Sequence, residues 1–145
     1  MNAGEHEVDE AFAPMSVAMT LEDDIDISRG DMIVRKNNQP EALQEFDVML
    51  CWLSAESAKP RAKYVIMHTS NEKKAMIKEV VYKMNVNTFE RDGDDTSLNM
   101  NDIARVKIRT THRLLVDSYR ENRNTGSLIL IDDQTKDTVA AGMIL

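Results

Sequence analysis

The strongest constraint on the fold is a strict alternation of residue types along residues 104–116. The even-numbered positions are Ala104, Val106, Ile108, Thr110, His112, Leu114 and Val116. The basic side chains of the segment, Arg105, Lys107, Arg109 and Arg113, all fall on odd-numbered positions. A helix would scatter these charges around its axis, whereas a strand places alternate residues on opposite faces. The segment therefore predicts a β-strand with one face toward a core and a basic face outward.

Several other short apolar segments have the composition of strands. They lie at residues 46–52, 64–69, 127–132 and 138–145. The composition of residues 75–90 tolerates a helix, but Ile77 and Val80 favour a strand there. Turns are predicted at residues 71–74 and 91–95. Gly142, inside the last strand, predicts a bulge or a close backbone approach. About six strands after residue 43, with no convincing helix, indicate an all-β fold that is either a closed barrel or a sandwich.

The first 40 residues follow a weaker pattern. The first ten are polar and are expected to be loose. Val17, Met19 and Leu21 alternate with smaller or polar residues, and a charged stretch containing Gly30 separates them from the apolar residues 32–34. Two short apolar segments around one glycine predict a hairpin or an arch. The polar connector that follows, with Pro40, marks a boundary before the main set of strands.

Composition limits the classes of function. The chain has 145 residues, a formal net charge of −7 and one cysteine, Cys51. One cysteine excludes an intrachain disulfide, and a reducing cytoplasm is the expected compartment. The negative charge argues against a protein that binds nucleic acid by broad phosphate neutralisation. No apolar run reaches the length of a membrane span, and the acidic N-terminus lacks the order of a signal peptide. Cys51 is predicted to be a small core residue rather than a nucleophile.

The motifs of common catalytic and binding sites are missing from the sequence. None of the five glycines precedes a lysine, so no phosphate-binding loop is present. His6, His68 and His112 have no ligand spacing between them, and the two histidines in strands are predicted to be ordinary strand residues. The acidic turns at residues 22–26 and 91–95 do not match a calcium loop. We assign no catalytic, cofactor-binding or metal-binding residue from the sequence.

The basic face of residues 104–116 leaves two interpretations open. Arg105, Lys107, Arg109 and Arg113 are either the solvated outer face of a barrel or a docking surface for an acidic partner domain. A concentrated positive patch on an otherwise acidic protein orients such a contact.

Three stretches of the sequence resemble one protein family. They are "LEDDIDISRGDMIV" at residues 21–34, "YKMNVNTFE" at 82–90, and "DSYRENRNTGSLILIDDQTKDTVAAGMI" at 117–144. The chain resembles, from about residue 11 to residue 145, the GTP-binding large subunits of bacterial sulfate adenylyltransferases, also called ATP sulfurylases. That family belongs to the translation-factor GTPase class, and it resembles elongation factor Tu in having a GTPase domain followed by two β-barrels.

The resemblance implies a division of the chain. Residues 1–38 would be the last strands of the second barrel, and residues 43–145 would be the complete third barrel, six-stranded and antiparallel as in elongation factor Tu. The chain would then be part of a longer subunit. The Arg-Gly-Asp sequence at residues 29–31 would be a bend into the last strand of the second barrel. One departure is the pair His112-Arg113, where relatives often carry a proline, and it affects the local path of that strand.

The resemblance also implies a function. The two-subunit enzyme joins ATP and sulfate into adenosine 5'-phosphosulfate and pyrophosphate, and the GTPase subunit couples GTP hydrolysis to that synthesis. The parent protein would be an enzyme, but none of its catalytic residues falls in this chain. GTP and magnesium are expected in the GTPase domain, outside this chain. The expected partners are that domain and the small adenylyltransferase subunit, with no membrane.

Other interpretations remain open at this point. The barrel is alternatively a stand-alone, translation-factor-like binding module, with the basic face contacting RNA. The Arg-Gly-Asp sequence is alternatively an adhesion signal, although nothing in the sequence indicates secretion. Residues 11–35, without the rest of a second barrel, are expected to pack on the third barrel, pair with another copy, or be mobile.

Overall fold

A computed structural model of the chain describes residues 1–4, 6–59 and 61–145, and these residues form an all-β fold. Its strands, in chain order, are β1 (Asn2–Ala3), β2 (His6–Glu7), β3 (Glu41–Trp52), β4 (Tyr64–His68), β5 (Asn71–Met84), β6 (Arg91–Asp92), β7 (Ile103–Val116), β8 (Ser127–Asp132) and β9 (Thr138–Ile144). The described residues contain no helix long and apolar enough to cross a membrane.

Six of these strands close into an antiparallel barrel. The hydrogen-bonded order is β4, β8, β9, β3, β7 and β5, and β5 pairs with β4 to complete the ring. The two-residue strand β6 adds only to the end of β5. Closure leaves none of the six long strands with a free edge, which apolar strands would otherwise expose to aggregation. The barrel confirms the fold class, and it decides between the barrel and the sandwich.

The core of the barrel is formed by the alternate side chains of each strand. The buried apolar residues are Phe46, Val48, Leu50, Trp52, Tyr64, Ile66, Ala75, Leu98, Ala104, Val106, Ile108, Leu114, Val116, Leu128, Leu130, Val139, Ala140 and Ile144. The rings of Trp52 and Tyr64 meet edge to face, with their centroids 5.8 Å apart. Every one of these residues lies after residue 45, so the hydrophobic driving force for folding comes from the barrel.

The strand predicted from residues 104–116 is β7, and its alternation is confirmed with one interruption. Opposite Gln44 of β3, β7 bulges between Arg109 and Leu114. The Gln44 side chain holds the bulge, because its Nε2 donates to the carbonyl oxygen of Thr110 at 3.0 Å. The bulge turns His112 outward, so the sequence prediction that this residue shares the core face is wrong.

The predicted turn at residues 71–74 is also wrong, because those residues begin β5. The chain reverses one step earlier, at Thr69 and Ser70, where Thr69 adopts a positive φ of 52°. His68 and Asn71 pair directly across this two-residue hairpin. The polar composition of residues 71–74 misled the prediction, since a strand with one solvated face tolerates lysines there.

Gly142 leaves room for core side chains of β3 rather than for a bulge or a close backbone approach, the two outcomes predicted for it, and the β3–β9 ladder passes through it without a register shift. A Cβ atom at this position would lie 2.4 Å from Val48 Cγ1 and 3.1 Å from Leu50 Cδ1. Both of those side chains are fully buried, so they have little room to move aside.

Residues 1–40, which we call the leading segment, form little regular structure. The strands β1 and β2 are two residues each, and Asn2 makes one isolated bridge to Ala18. Apart from the bridge at Ala18, residues 17–21 and 32–34 pair with no strand within the described residues, so the hairpin or arch predicted there does not form. The division into a second-barrel remnant and a third barrel stays a prediction.

The Arg-Gly-Asp sequence lies in an exposed turn of the leading segment. The Ser28 N–H donates to Asp31 Oδ2 at 2.8 Å, and the Asp31 N–H donates to the Ser28 carbonyl at 3.1 Å. Gly30 has a φ of 105° and packs on Asn71, whose Nδ2 donates to its carbonyl oxygen at 3.2 Å. Among the described residues this is the only hydrogen bond between the leading segment and the barrel.

Candidate docking surface

The outer face of β7 carries the basic residues that the sequence singled out. Arg105 and Lys107 are half-buried, whereas Arg109 and Arg113 are exposed. The first three follow one another on the regular part of the strand, and Arg113 lies beyond the bulge. The structure therefore brings Arg105, Lys107 and Arg109 together, and the bulge of β7 separates Arg113 from them.

Two of these basic side chains share a carboxylate on the neighbouring strand. Arg105 donates from Nε to Asp47 Oδ2 at 2.9 Å and from Nη2 to the same oxygen. Lys107 Nζ lies 4.0 Å from Asp47 Oδ1. The hydrogen bonds from Arg105 to Asp47 raise the pKa of the guanidinium. Arg105 is thus positioned by β3 and is less free to meet a partner than its exposure alone indicates.

A second carboxylate neutralises part of the same face. Glu45 lies opposite Arg109 in the β3–β7 ladder, and Lys78 of β5 donates to Glu45 Oε1 at 2.9 Å. This hydrogen bond lowers the pKa of Glu45. Among the described residues, no carboxylate lies within 4.0 Å of the charged nitrogens of Arg109 or Arg113. Arg109 still interacts with Glu45 at longer range, because its charge contributes to the lowered pKa of that carboxyl group. Arg109 and Arg113 are thus the two residues of the predicted surface that form no ion pair within the described part of the chain.

Beside the basic face lies a shallow cavity of about 660 Å³ on the outside of the barrel. We call it the apolar groove and define it by the outward side chains Met49, Cys51, Met67, Ile103, Ile129, Ala141 and Met143, with Tyr119 at one end. Their strand neighbours, such as Leu50 and Leu128, point into the core. The groove therefore belongs to the outer surface and not to the barrel interior.

The sequence contains a signal for this groove, namely strands that are apolar on both faces. In β3 the outward parity carries Met49 and Cys51, and in β8 it carries Ile129 and Ile131. A strand that is apolar on both faces is typical of a strand covered on both sides. Cys51 is half-buried in the groove, so the prediction that it is a core residue is wrong.

An ion cluster lies at the start of β7, near the end of the groove. Lys83, whose side chain is 15% exposed, contacts Asp95 Oδ2 at 2.7 Å and Asp102 Oδ2 at 2.8 Å. Burial alone would lower the pKa of Lys83, but the hydrogen bonds to Asp102 and Asp95 raise it. The hydrogen bond from Lys83 also holds the pKa of Asp95 well below its usual value. Through Asp95, the cluster attaches the connection between β5 and β7 to the barrel.

The histidines occupy unrelated places. His68 is buried, and its Nε2 lies 2.6 Å from the carbonyl oxygen of Thr125, to which it donates when protonated there. His112 is exposed on the bulge, with Nδ1 3.0 Å from Thr111 Oγ1. Within residues 1–4, 6–59 and 61–145, no three His, Cys, Asp or Glu side chains are arranged to hold a metal ion. The predictions of ordinary strand histidines and of no catalytic residue stay predictions.

Comparison with known proteins places these features in a family. The family model described as GTP-eEF1A C-terminal domain-like matches residues 45–145. Among curated proteins, the bifunctional enzyme CysN/CysC of Mycobacterium tuberculosis is 50% identical over 139 residues, which is 95% of this chain and 23% of that protein. Sulfate adenylyltransferase subunit 1 of Bacteroides fragilis is 42% identical over 139 residues, 96% of this chain and 29% of that protein. The chain thus spans less than a third of these relatives.

Solved structures with a similar fold have little sequence in common with the chain. Sup35 complexed with GDP gives a TM-score of 0.67 at 15% identity, covering 76% of this chain and 27% of that one. The Saccharomyces cerevisiae Ski7 GTPase-like domain bound to GTP gives a TM-score of 0.55 at 18% identity. The match covers 77% of this chain and 22% of that one. At such identities the likeness concerns the fold alone.

Proposed function

This chain belongs to the GTP-eEF1A C-terminal domain-like family, and on that premise we propose that it supplies the C-terminal barrel of a sulfate adenylyltransferase large subunit. The observation that carries the proposal is the 50% identity to CysN/CysC, which extends over 95% of the chain and so includes the leading segment as well as the barrel. The parent enzyme would join ATP and sulfate into adenosine 5'-phosphosulfate and pyrophosphate in the cytoplasm, with GTP hydrolysis driving the reaction.

The role of the barrel within that enzyme would be mechanical. No glycine of the chain precedes a lysine, so the residues present do not fit a phosphate-binding loop for GTP and magnesium. A barrel closed by six hydrogen-bonded ladders is a rigid body, because its core is packed and its long strands leave no free edge. Such a body holds a fixed surface against neighbours that move when a nucleotide is hydrolysed.

The partners we propose are the GTPase domain and the small adenylyltransferase subunit. Subunit 1 of the relative from Bacteroides fragilis carries a number in its name, which implies at least one further subunit in that enzyme. Arg109 and Arg113, which are exposed and form no ion pair within the described residues, support a contact with an acidic surface.

Direct binding tests this function. The chain is immobilised through its N-terminus, and the purified small adenylyltransferase subunit of Mycobacterium tuberculosis is passed over it in biolayer interferometry. We expect saturable binding that weakens as salt is raised, because part of the contact is electrostatic. An unrelated acidic protein of similar net charge is the control. Absence of saturable binding at low salt, with the barrel folded, would contradict the proposal.

A stand-alone module that binds RNA is the second candidate. Arg109 and Arg113 favour it, because both are exposed and lack a carboxylate partner among the described residues. The net charge of −7 and the pairing of Arg105 with Asp47 oppose it. A titration with single-stranded RNA in low salt decides, since phosphate contacts give a steep salt dependence. We expect no saturable binding.

A further inference from the structure

We propose that the apolar groove is the centre of the docking site on this barrel, that the basic face of β7 is its rim, and that the occupant is a face of the small adenylyltransferase subunit with apolar side chains flanked by carboxylates. The inference rests on the proposed function and deepens it, because it names the surface and the chemistry of the contact. The sequence pointed only to the rim.

The strand register makes the groove one continuous surface. Ile103 lies opposite Cys51, and Cys51 lies opposite Ala141. Ala141 in turn lies opposite Ile129, and Ile129 lies opposite Met67. Five neighbouring strands therefore contribute one apolar row across the outside of the barrel. Since directly paired residues on the same face have Cβ atoms about 4.5–5.5 Å apart, these side chains contact one another.

Nothing within the described residues covers this row. Met143 is 41% exposed although it lies within β9, between the fully paired Gly142 and Ile144. The leading segment is fastened elsewhere, at the hairpin where Asn71 binds Gly30. A contiguous apolar patch on a folded protein marks an interaction site more often than scattered apolar residues do. Three of its side chains are methionines, which adapt to a partner surface without strain.

The charges beside the groove decide which kind of partner fits. Arg105 lies directly opposite Met49 in the ladder, at one side of the groove. At the far end, the guanidinium carbon of Arg123 lies 6.0 Å from the centre of the Tyr119 ring. Basic groups thus flank the apolar row on two sides.

The acidic groups near the groove are already bound within the chain. Asp47 accepts from Arg105, and Asp102, next to Ile103, contacts Lys83 at 2.8 Å. At the Ile103 end the two carboxylates of the ion cluster outnumber Lys83, but on the β7 side Arg105 and Lys107 share the single carboxylate of Asp47. A partner carboxylate therefore meets net positive charge on the β7 side of the groove. Interfaces commonly combine an apolar, desolvated centre with a polar rim, and the groove with its basic flanks has that arrangement.

Centre and rim have different kinetic signatures. Truncation of a residue at the desolvated centre speeds dissociation, whereas removal of a rim charge slows association and reduces its dependence on salt. A docking site that used the basic face alone would show only the second signature.

The first test uses the single cysteine and needs no substitution. Cys51 is half-buried within the groove, and its alkylation by iodoacetamide is followed by mass spectrometry with and without saturating small subunit. We expect the rate to fall by about 10-fold or more when the partner excludes reagent and water from the groove. An unchanged rate in a complex that has formed overturns the proposal and leaves the proposed function standing.

The second test compares two methionines. Met143→Ser alters the groove, and Met100→Ser alters an exposed methionine outside it, 55% exposed against 41% for Met143. In the interferometry assay we expect Met143→Ser to weaken binding about 10-fold through faster dissociation and Met100→Ser to have no effect. Arg123→Gln is expected to slow association only a few-fold, less so at high salt.

The outcomes separate the two proposals. Equal dissociation rates for Met143→Ser and Met100→Ser would overturn the groove as the centre of the contact, while binding by the unaltered chain would still support the function. Failure of the unaltered chain to bind the small subunit contradicts the function, and the groove proposal with it.

Discussion

The leading segment and the barrel contain similar apolar patterns with opposite structural results. Val17, Met19 and Leu21 alternate as the residues of β7 do, yet only β7 forms a strand. All of the buried apolar core lies in the barrel, whereas exposed apolar residues such as Met19, Leu21 and Ile33 lie in the leading segment. The difference teaches that alternation specifies a face, and that the presence of partner strands decides whether a ladder forms.

The two regions also differ in charge. Residues 1–40 contain nine acidic and three basic residues, which gives a formal charge of −6. Residues 41–145 contain sixteen acidic and fifteen basic residues, which gives a formal charge of −1. The acidity of the chain therefore belongs almost entirely to the leading segment. The barrel is close to neutral, and its basic rim is not overwhelmed by its own net charge.

The largest difference in the free energy of unfolding is expected between two leucine-to-alanine substitutions, one in each region. Leu50 is fully buried, and Leu50→Ala should lower the free energy of unfolding by about 3–5 kcal/mol because it leaves a cavity. Leu21 is 45% exposed, and Leu21→Ala should change it by less than about 0.5 kcal/mol. Urea denaturation followed by tryptophan fluorescence measures both. Comparable losses would show that the leading segment is part of the cooperative core.

The next effect tests the packing between β9 and β3. Gly142→Ala places a methyl group against Val48 and should lower the free energy of unfolding by about 1–3 kcal/mol. Gly93→Ala is the matched control, because its Cβ would meet nothing closer than the Val81 carbonyl oxygen at 3.8 Å. The same denaturation series compares the two variants. A tolerated Gly142→Ala would mean that the side chains of Val48 and Leu50 do not fill the space beside Gly142.

A smaller effect is expected at the ion cluster, with a defined dependence on pH. The depressed pKa of Asp95 means that its contribution is present above the ordinary value of 3.8 and is lost as pH falls through the folded value. The raised pKa of Lys83 means that its contribution is present below 10.5 and is lost as pH rises through the folded value. Lys83→Met should therefore cost about 1 kcal/mol at neutral pH.

Stability measured at acid pH tests the contribution of this ion cluster. Lys83→Met should lose less stability than the unaltered chain between about pH 4 and pH 2, because Asp95 then lacks the lysine whose hydrogen bond is the main cause of its depressed pKa. Lys78→Met is the control, since the Lys78 side chain is 49% exposed against 15% for Lys83 and its ion pair with Glu45 is more screened. Equal effects of the two lysine substitutions in denaturation at neutral pH would refute the difference in burial as the cause.

The smallest effect is expected where the two regions meet. Gly30→Ala would place a Cβ 2.2 Å from Asn71 Oδ1 at a φ of 105°, so the turn must shift away from the barrel. Because one hydrogen bond joins the regions among the described residues, the free energy of unfolding should change by less than about 0.5 kcal/mol. The heat-unfolding midpoint measures this. A large drop would show that the leading segment stabilises the barrel through this contact.

The sequence predicted the barrel strands well because each strand has a sorted core face that its neighbours also need. It failed where longer-range geometry decides: at the bulge that turns His112 outward, at the hairpin that places residues 71–74 in β5, and at the leading segment. It named the basic residues of the candidate site but missed the apolar groove. The row from Ile103 to Met67 joins five strands, and it becomes visible only once their register is known.

Hydrogen–deuterium exchange on the intact chain tests the central contrast most directly. Amides of residues 103–109 lie between β3 and β5, paired on both sides, and should exchange only through global unfolding, whereas amides of residues 11–35 should exchange within seconds. Protection of residues 11–35 equal to that of β7, in a chain shown to be monomeric by light scattering, would contradict the account of a self-sufficient barrel with a weakly attached leading segment.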